Sequence, residues 1–166
     1  MPKLKSKEII LGIDPGLATT GYGVIMHSTN GMRCLEYGLI TSPAKQPFSQ
    51  RLEKIHRELK KIISSHKPKV MAVEELFFAK NIKTALKVGH ARGVIILTAG
   101  MLNVPVQEFT PLQVKQALTG YGRADKNQIQ KMVKAILFLK EIPKPDDAAD
   151  ALAVAITCCQ TKKFIE

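Results

Sequence analysis

Three extended apolar stretches open the chain, and their order restricts the fold to a small set. The run EIILGID at 8–14 is rich in β-branched residues, and Pro15 after it forces an extended backbone at Asp14, so a strand ends there. The stretches at 21–27 and 32–41 alternate apolar and polar residues, and the turn residues STNG separate them. The sequence therefore predicts an antiparallel meander of three strands.

Helices and strands alternate after the meander. The segment FSQRLEKIHRELKKIISSH repeats apolar residues every three or four positions, as an amphipathic helix does, and Pro68 follows its end. A short apolar run at 69–75 predicts a fourth strand, 81–102 a long helix and 104–109 a fifth strand. Further helical stretches are expected near 110–119, 125–140 and 146–160. This order predicts an α/β domain with a five-stranded mixed sheet flanked by helices.

Length and cysteine content indicate one cytoplasmic domain. A chain of 166 residues can bury about two-thirds of its extended surface, so it does not need disulfide bonds to be stable. The three cysteines, Cys34, Cys158 and Cys159, show no metal-ligand spacing and are typical of reduced thiols in a cytosolic protein. The N-terminal lysines precede only a short apolar run, so we expect neither a signal peptide nor a membrane span. We expect a single domain over 1–166, with a basic tail at about 1–7.

Basic residues outnumber acidic ones by 25 to 14, which gives a formal net charge of +11. The excess is uneven, because 76–107 contains no acid and 110–144 carries seven basic residues against two acids. A solvated basic surface without a partner is one interpretation, but such a surface attracts polyanions, and we favour nucleic acid. The candidate DNA contacts in these segments are Lys80, Lys83, Lys87, Arg92, Lys115, Arg123 and Lys126.

Carboxylates end two predicted strands and begin the last helix. Asp14 follows ILGI and Glu74 follows VMAV, so in neighbouring parallel strands both would emerge at the carboxyl edge of the sheet. In the last helix, Asp146 and Asp147 lie where a cap or the helix dipole favours an acid, whereas Asp150 lies a turn further in. Either of the first two shares a helix face with Asp150, and the spacing leaves both a cap and a metal site open.

Four converging carboxylates would repel one another, and divalent cations would relieve that repulsion. Mg²⁺ takes carboxylate oxygens together with waters and substrate phosphate oxygens, and two such ions about 3.5–4 Å apart recur in in-line displacement at phosphorus. Acidic residues enclosed by basic ones therefore predict a nuclease. In such an enzyme the basic side chains bind the DNA backbone and the acidic side chains bind the metal.

Six motifs carry a resemblance to a known family. In order they are LGIDPG, TGYGVI, AVEELFFAKN, ALKVGHARGV, QVKQALTGYGRADK and DAADALAVAIT. Over about residues 8–160 the chain resembles the RuvC family of Holliday junction resolvases. The resemblance implies a ribonuclease H-like fold, a homodimer, and symmetrical nicking of four-way DNA junctions in recombination and repair. It also implies two Mg²⁺ ions per subunit, with Mn²⁺ able to substitute.

Matched motif by motif, the resemblance implies roles for individual residues. The metal-binding acids that it implies are Asp14, Glu74, Asp147 and Asp150. Asp146 then becomes the helix cap, and Phe77 matches an aromatic residue that engages bases at the crossover. Lys115 and Lys126 match lysines near the scissile phosphate. The implied reaction is in-line attack of metal-activated water that leaves a 5′-phosphate and a 3′-hydroxyl, with the branch-migration proteins RuvA and RuvB as partners.

Two rival functions can be set against the nuclease. The glycines of GIDPG and TGYG could form a phosphate-binding hairpin, as in the sugar kinase and actin superfamily, which shares this topology. That class needs a second lobe and a second phosphate loop, and we find neither in the sequence. A DNA-binding protein without activity would explain the charge and leave the four acids unexplained. The scattered histidines, His27, His56, His66 and His90, are expected to be structural or on the surface.

The helix predicted at 81–102 is apolar around much of its circumference. A helix covered on one side alone needs only one apolar face. We therefore expect this helix to form the dimer interface, with the same surface used by both subunits.

Overall fold

The computed structural model describes residues 7–76 and 81–161. Its strands are β1 (Glu8–Asp14), β2 (Thr19–Ser28), β3 (Gly31–Thr41), β4 (Val70–Glu74) and β5 (Val106–Phe109). Its helices are α1 (Phe48–His66), α2 (Ile82–Met101), α3 (Pro111–Thr119), α4 (Lys126–Ile136) and α5 (Asp146–Gln160). Within these two ranges, no helix combines the length and the apolar character that crossing a membrane requires.

The strands form one mixed sheet in the order β3-β2-β1-β4-β5. Strands β1, β2 and β3 pair antiparallel, whereas β1 with β4 and β4 with β5 pair parallel. The predicted α/β class, the meander and the five-stranded mixed sheet are confirmed. Because Ile13 lies beside Val73 in the parallel pair, the residues that follow them, Asp14 and Glu74, leave the sheet at the same edge.

Helices cover both faces of the sheet and create two cores. On one face α5 lies across β1 and β2, with α3 and α4 packed against it. Fully or almost fully buried residues of that core include Ile10, Ile25, Leu152 and Ile156. On the other face α1 and α2 pack around Leu11, Ile13, Ile55, Leu59 and Ile95. The amphipathic pattern predicted for α1 is confirmed, since Ile55, Leu59 and Ile63 are its buried stripe.

Helix α5 lies close to the sheet because glycines face it. A Cβ atom added to Gly12 would lie 2.1 Å from the carbonyl oxygen of Ala151, and one added to Gly21 would lie 2.0 Å from that of Asp147. No side chain fits at these two positions, so the helix backbone can rest directly on the strands. Since Gly21 pairs with Asp14 across the β1–β2 ladder, this contact places the first turn of α5 beside the end of β1.

Helix α4 ends four residues earlier than the predicted boundary at 140. Its last residue is Ile136, and Phe138 has a left-handed φ of 53°. The amide of Leu139 donates a hydrogen bond of 2.9 Å to the carbonyl of Lys134, as in a Schellman motif. This turn ends the helix, and the chain returns to α5 past Leu137 and Pro143, both of which are buried.

Candidate active site

Three carboxylates from two elements meet at the carboxyl edge of the sheet. Single oxygen atoms of Asp14, Asp147 and Asp150 all lie within 4.8 Å of one another, a spacing that could hold one cation. Asp14 ends β1, whereas the other two lie three residues apart in the first turns of α5 and share one helix face. All three side chains are half-buried. The structure therefore brings together three of the four acids predicted from the sequence.

Glu74 adjoins this cluster from β4. Burial, and next the charge of Asp150, raise the pKa of Glu74, although a hydrogen bond from the Asp14 carboxyl opposes the rise. Glu74 and Asp150 also line a cavity of about 260 Å³ that α3 and α4 close with Lys115 and Lys126. The fourth predicted acid thus contacts the cluster through Asp14 and faces a cavity whose other wall carries two lysines.

The cluster is electrostatically strained without a cation. The pKa of Asp14 is raised from its ordinary 3.8 to about 8, first by burial and then by the charges of Glu74, Asp150 and Asp147, which outweigh the opposing charge of Lys126. Burial also raises the pKa of Asp150, against the opposing effect of Lys126. Every donor is a carboxylate oxygen, the ligand type that hard divalent cations such as Mg²⁺ prefer. These residues therefore fit a divalent metal site.

Thr19 orients one of the clustered acids. Its hydroxyl donates a hydrogen bond of 2.8 Å to Oδ2 of Asp147. Neighbouring Thr20 donates one of 2.6 Å to the carbonyl of Gly16, which ties the start of β2 to the turn after β1. Hydrogen bonds of this kind set the orientation of metal-ligating carboxylates. Sequence reasoning missed Thr19; its signal was the short interval after Asp14, which places the start of β2 at the same sheet edge.

Lys126 links the cluster to Asp146. The Nζ atom of Lys126 lies 3.3 Å from Oδ2 of both Asp146 and Asp150, and the amide of Gln130 donates a 3.0 Å hydrogen bond to Oδ1 of Asp146. The predicted capping role of Asp146 is wrong, because Pro145 occupies the N-cap position and no side-chain cap forms. Burial lowers the pKa of Lys126, but the two carboxylates outweigh it and keep the ammonium charged.

The remaining candidate DNA contacts among the described residues lie on α2 and in the turn before α4. Arg123 is exposed in the turn before α4, and Lys83 and Lys87 are exposed on α2. Arg92, in contrast, forms an ion pair with Glu108 of β5, and its Nε atom is buried without a partner in the described part of the chain. Its guanidinium therefore connects α2 to β5. The predicted contacts at Phe77 and Lys80 lie outside the described residues.

Three of the four histidines make contacts within the fold. Nδ1 of His56 lies 2.8 Å from the hydroxyl of Thr98, and Nε2 of His66 lies 2.7 Å from a carboxylate oxygen of Glu36. The ring of His90 packs edge-on against Phe48. These contacts agree with the structural role expected from the sequence.

Comparisons with known proteins match nearly the whole chain. Residues 10–158 match the family model described as crossover junction endodeoxyribonuclease RuvC. The protein of that name from Alkaliphilus oremlandii is 57% identical over 95% of this chain and 96% of its own length. The one from Caldicellulosiruptor saccharolyticus is 59% identical over 89% of each.

A solved structure has the same architecture. It is described as T. thermophilus RuvC in complex with Holliday junction substrate, and it matches with a TM-score of 0.86 and 38% identity. The match covers 90% of this chain and 92% of that chain. The ribonuclease H-like fold expected from the sequence is confirmed by this likeness.

Proposed function

The chain belongs to the RuvC family of crossover junction endodeoxyribonucleases, and on this premise we propose that it resolves four-way DNA junctions by paired, symmetrical cuts. The observation that carries the proposal is the cluster of Asp14, Asp147 and Asp150 at the sheet edge of a strongly basic protein. A nuclease needs both features, because a metal site for the reaction must coexist with a surface that binds phosphates.

We propose Mg²⁺ as the metal, two ions per subunit, with Mn²⁺ able to substitute. The ligands would be the three clustered acids together with Glu74. Asp14 belongs to the cluster of three acids and also hydrogen-bonds Glu74. Its carboxylate therefore adjoins each of the other proposed ligands. When bound, the metal supplies a water of lowered pKa and neutralises charge on the phosphate.

The side chains around the acids have separable tasks. Thr19 holds Asp147 in its orientation through the hydroxyl hydrogen bond. Lys115 and Lys126 line the cavity beside Glu74 and provide positive charge where a phosphate would approach. Asp146 keeps the ammonium of Lys126 at the rim of the cluster. We propose Phe77, Lys80, Lys83, Lys87 and Arg123 as DNA contacts. Arg92 is the least suited of the predicted contacts, because its guanidinium already pairs with Glu108.

The proposed homodimer would use one face of α2. Large apolar side chains on this helix are exposed, with Ile82 at 74%, Leu86 at 60%, Leu97 at 60% and Met101 at 63%. Gly93 lies four residues before Leu97 on the same stripe, and a Cβ added there would meet nothing within 4 Å. A second helix could therefore approach closely at this position. Two subunits related by a two-fold axis would supply the two active sites that paired cuts need.

RuvA and RuvB as partners and a cytoplasmic location complete the proposal. Both rest on the family resemblance, and the described residues add only that no helix among them could cross a membrane.

The proposal is tested by incubating the protein with a labelled four-way junction and Mg²⁺, with linear duplex of the same sequence as the control substrate. We expect two nicks at symmetry-related positions in the junction and none in the duplex. Asp150→Asn should abolish cutting while junction binding in EDTA is kept. Asp125→Asn is the matched control, since Asp125 caps α4 beside the same cavity and asparagine caps equally well. Equal cutting of junction and duplex would contradict the proposal.

A further inference from the structure

Phe138 occupies a position that neither packing nor backbone preference explains. Its side chain is 87% exposed, and its φ of 53° lies in the left-handed region that favours glycine. The residue follows Leu137, the C-cap of α4, at the point of a Schellman motif where glycine is the usual choice. A large ring held outward on an unfavourable backbone indicates a function outside the core.

A basic groove opens beside this turn, between β3 and the loop that joins α4 to α5. It has a volume of about 560 Å³ and is lined by Tyr37, Lys134, Lys140, Glu141, Ile142 and Lys144. Within residues 7–76 and 81–161, none of its three lysines forms an ion pair. The loop itself is anchored from beneath, because Leu137 is 4% exposed and Leu139 packs on the core. The lysines are therefore presented on an ordered backbone.

Helix α4 connects this groove to the active site. Lys126, Gln130 and Lys134 lie four residues apart on one face of the helix. The first contacts Asp150, the second contacts Asp146, and the third lines the groove. Eight helical residues span about 12 Å, the length that three to four nucleotides of one DNA strand cover at about 3.4 Å each. A DNA strand that follows this face of α4, with its scissile phosphate at the acids, would therefore reach the groove.

We propose that this groove, together with Phe138, binds the backbone of the DNA arm that is being cut, three to four nucleotides from the scissile phosphate. The inference rests on the proposed junction-cutting function. The three lysines neutralise phosphates, and the rings of Phe138 and Tyr37 pack against the apolar edges of the sugars. Nucleic acid is the occupant because three lysines face the groove against one glutamate, Glu141, and because the first residue of α4, Lys126, contacts Asp150.

Salt dependence of junction binding in EDTA tests the lysine contacts. Lys134→Gln and Lys140→Gln should each weaken binding about 3- to 10-fold at 0.1 M salt, and each should reduce the slope of log affinity against log salt by about 0.9. Lys60→Gln, an exposed residue of α1, is the matched control and should change neither. Unchanged affinity and slope in both groove variants would overturn the inference. Junction cutting by the parental protein tests the proposed function separately.

The position of the proposed contact along the DNA is tested by modifying the DNA itself. Neutral methylphosphonates placed three and four nucleotides from the cut remove the charge that the groove recognises. The parental protein should lose about as much affinity for this modified junction as Lys134→Gln loses for the unmodified one. The Lys134→Gln variant should bind the modified junction only slightly more weakly than it binds the unmodified one. Fully additive losses would place the lysine contact elsewhere and refute the assignment.

Two substitutions separate the Phe138 ring from its backbone. Phe138→Ala and Phe138→Gly both delete the ring, and each should weaken junction binding by about 5-fold. Only the glycine variant suits the left-handed backbone, so it alone should raise the melting temperature, by about 2–4 °C. A glycine variant that is stabilised yet binds the junction with parental affinity would refute the role of the ring.

Discussion

Replacing Asp14 with asparagine should stabilise the metal-free protein while it abolishes cleavage. The carboxyl is held among Glu74, Asp150 and Asp147, and its pKa is raised to about 8, first by burial and then by these charges. Asparagine has nearly the same shape and carries no charge. The substitution therefore removes a carboxyl whose ionisation is disfavoured by burial and by neighbouring charges at the proposed metal site.

The sign and size of the effect follow from the two pKa values of Asp14, 3.8 when unfolded and about 8 when folded. Below pH 3.8 the group is protonated in both states. As the pH rises from 3.8 to 8, the unfolded chain ionises and the folded one does not, so the metal-free protein loses stability. The full linkage at pH 7 is up to about 4 kcal/mol, and screening at this partly exposed site leaves about 2 kcal/mol. For a chain of this length, that is a rise of about 4–8 °C in Tm.

Thermal unfolding in EDTA at pH 5 and pH 8 measures this effect. The stabilising difference between Asp14→Asn and the parental protein should be smaller at pH 5 than at pH 8. Added Mg²⁺ at pH 8 should raise the Tm of the parental protein more than that of the variant, because only the parental protein keeps all four proposed ligands. Asp125→Asn is the control for a surface acid. An Asp14→Asn protein that melts at or below the parental temperature in EDTA at pH 8 would refute the repulsion argument.

Three further substitutions probe separate parts of the structure. Thr19→Val should slow single-turnover cleavage about 10- to 100-fold without changing junction affinity in EDTA, and Thr19→Ser, which keeps the hydroxyl, should restore most of the rate. Leu97→Asp should give monomers in sedimentation at micromolar concentration while circular dichroism stays parental, because the side chain is 60% exposed. Gly12→Ala should lower Tm by more than about 10 °C, since its Cβ would lie 2.1 Å from the carbonyl of Ala151 and displace α5.

The element order was predictable because local patterns decide it. Apolar runs that end in an acid identified β1 and β4, and the three-to-four spacing of isoleucine and leucine identified α1. The pairing of Asp14 with Glu74 at one edge followed from the rule that parallel strands end together. These inferences need only the order of the residues along the chain.

The close contact of α5 with the sheet was not predictable from the sequence. Gly21 in TGYG fits a phosphate-binding hairpin as well as it fits a strand. The sequence does not show which other segment of the chain packs its backbone against this glycine. In the structure, the backbone of Asp147 fills that space. The hydrogen bond from Thr19 to Asp147 joins residues 128 positions apart and depends on the same packing.

Two local predictions failed where tertiary contacts outweighed residue preferences. Asp146 suits an N-cap, yet Pro145 holds that position, and the carboxylate pairs with Lys126 instead. Residues 137–140 suit a helix, yet Phe138 turns left-handed and ends it. Both exceptions lie on the path that connects the acids to the basic groove, which is where local rules are expected to give way to function.

The burial of α5 explains how the acids can stay together before a metal binds. Leu152 and Ile156 lie within the two turns that follow Asp150 and are fully buried in the core, and each contributes about 1.5–3 kcal/mol through burial. That is comparable with or larger than the repulsion of about 2 kcal/mol estimated at Asp14. The helix is therefore held against the glycines of β1 and β2 by its apolar half, and its first turn carries the acids with it. Binding of the proposed metal would relieve repulsion in a site that the core has already assembled, so the protein should remain folded in EDTA.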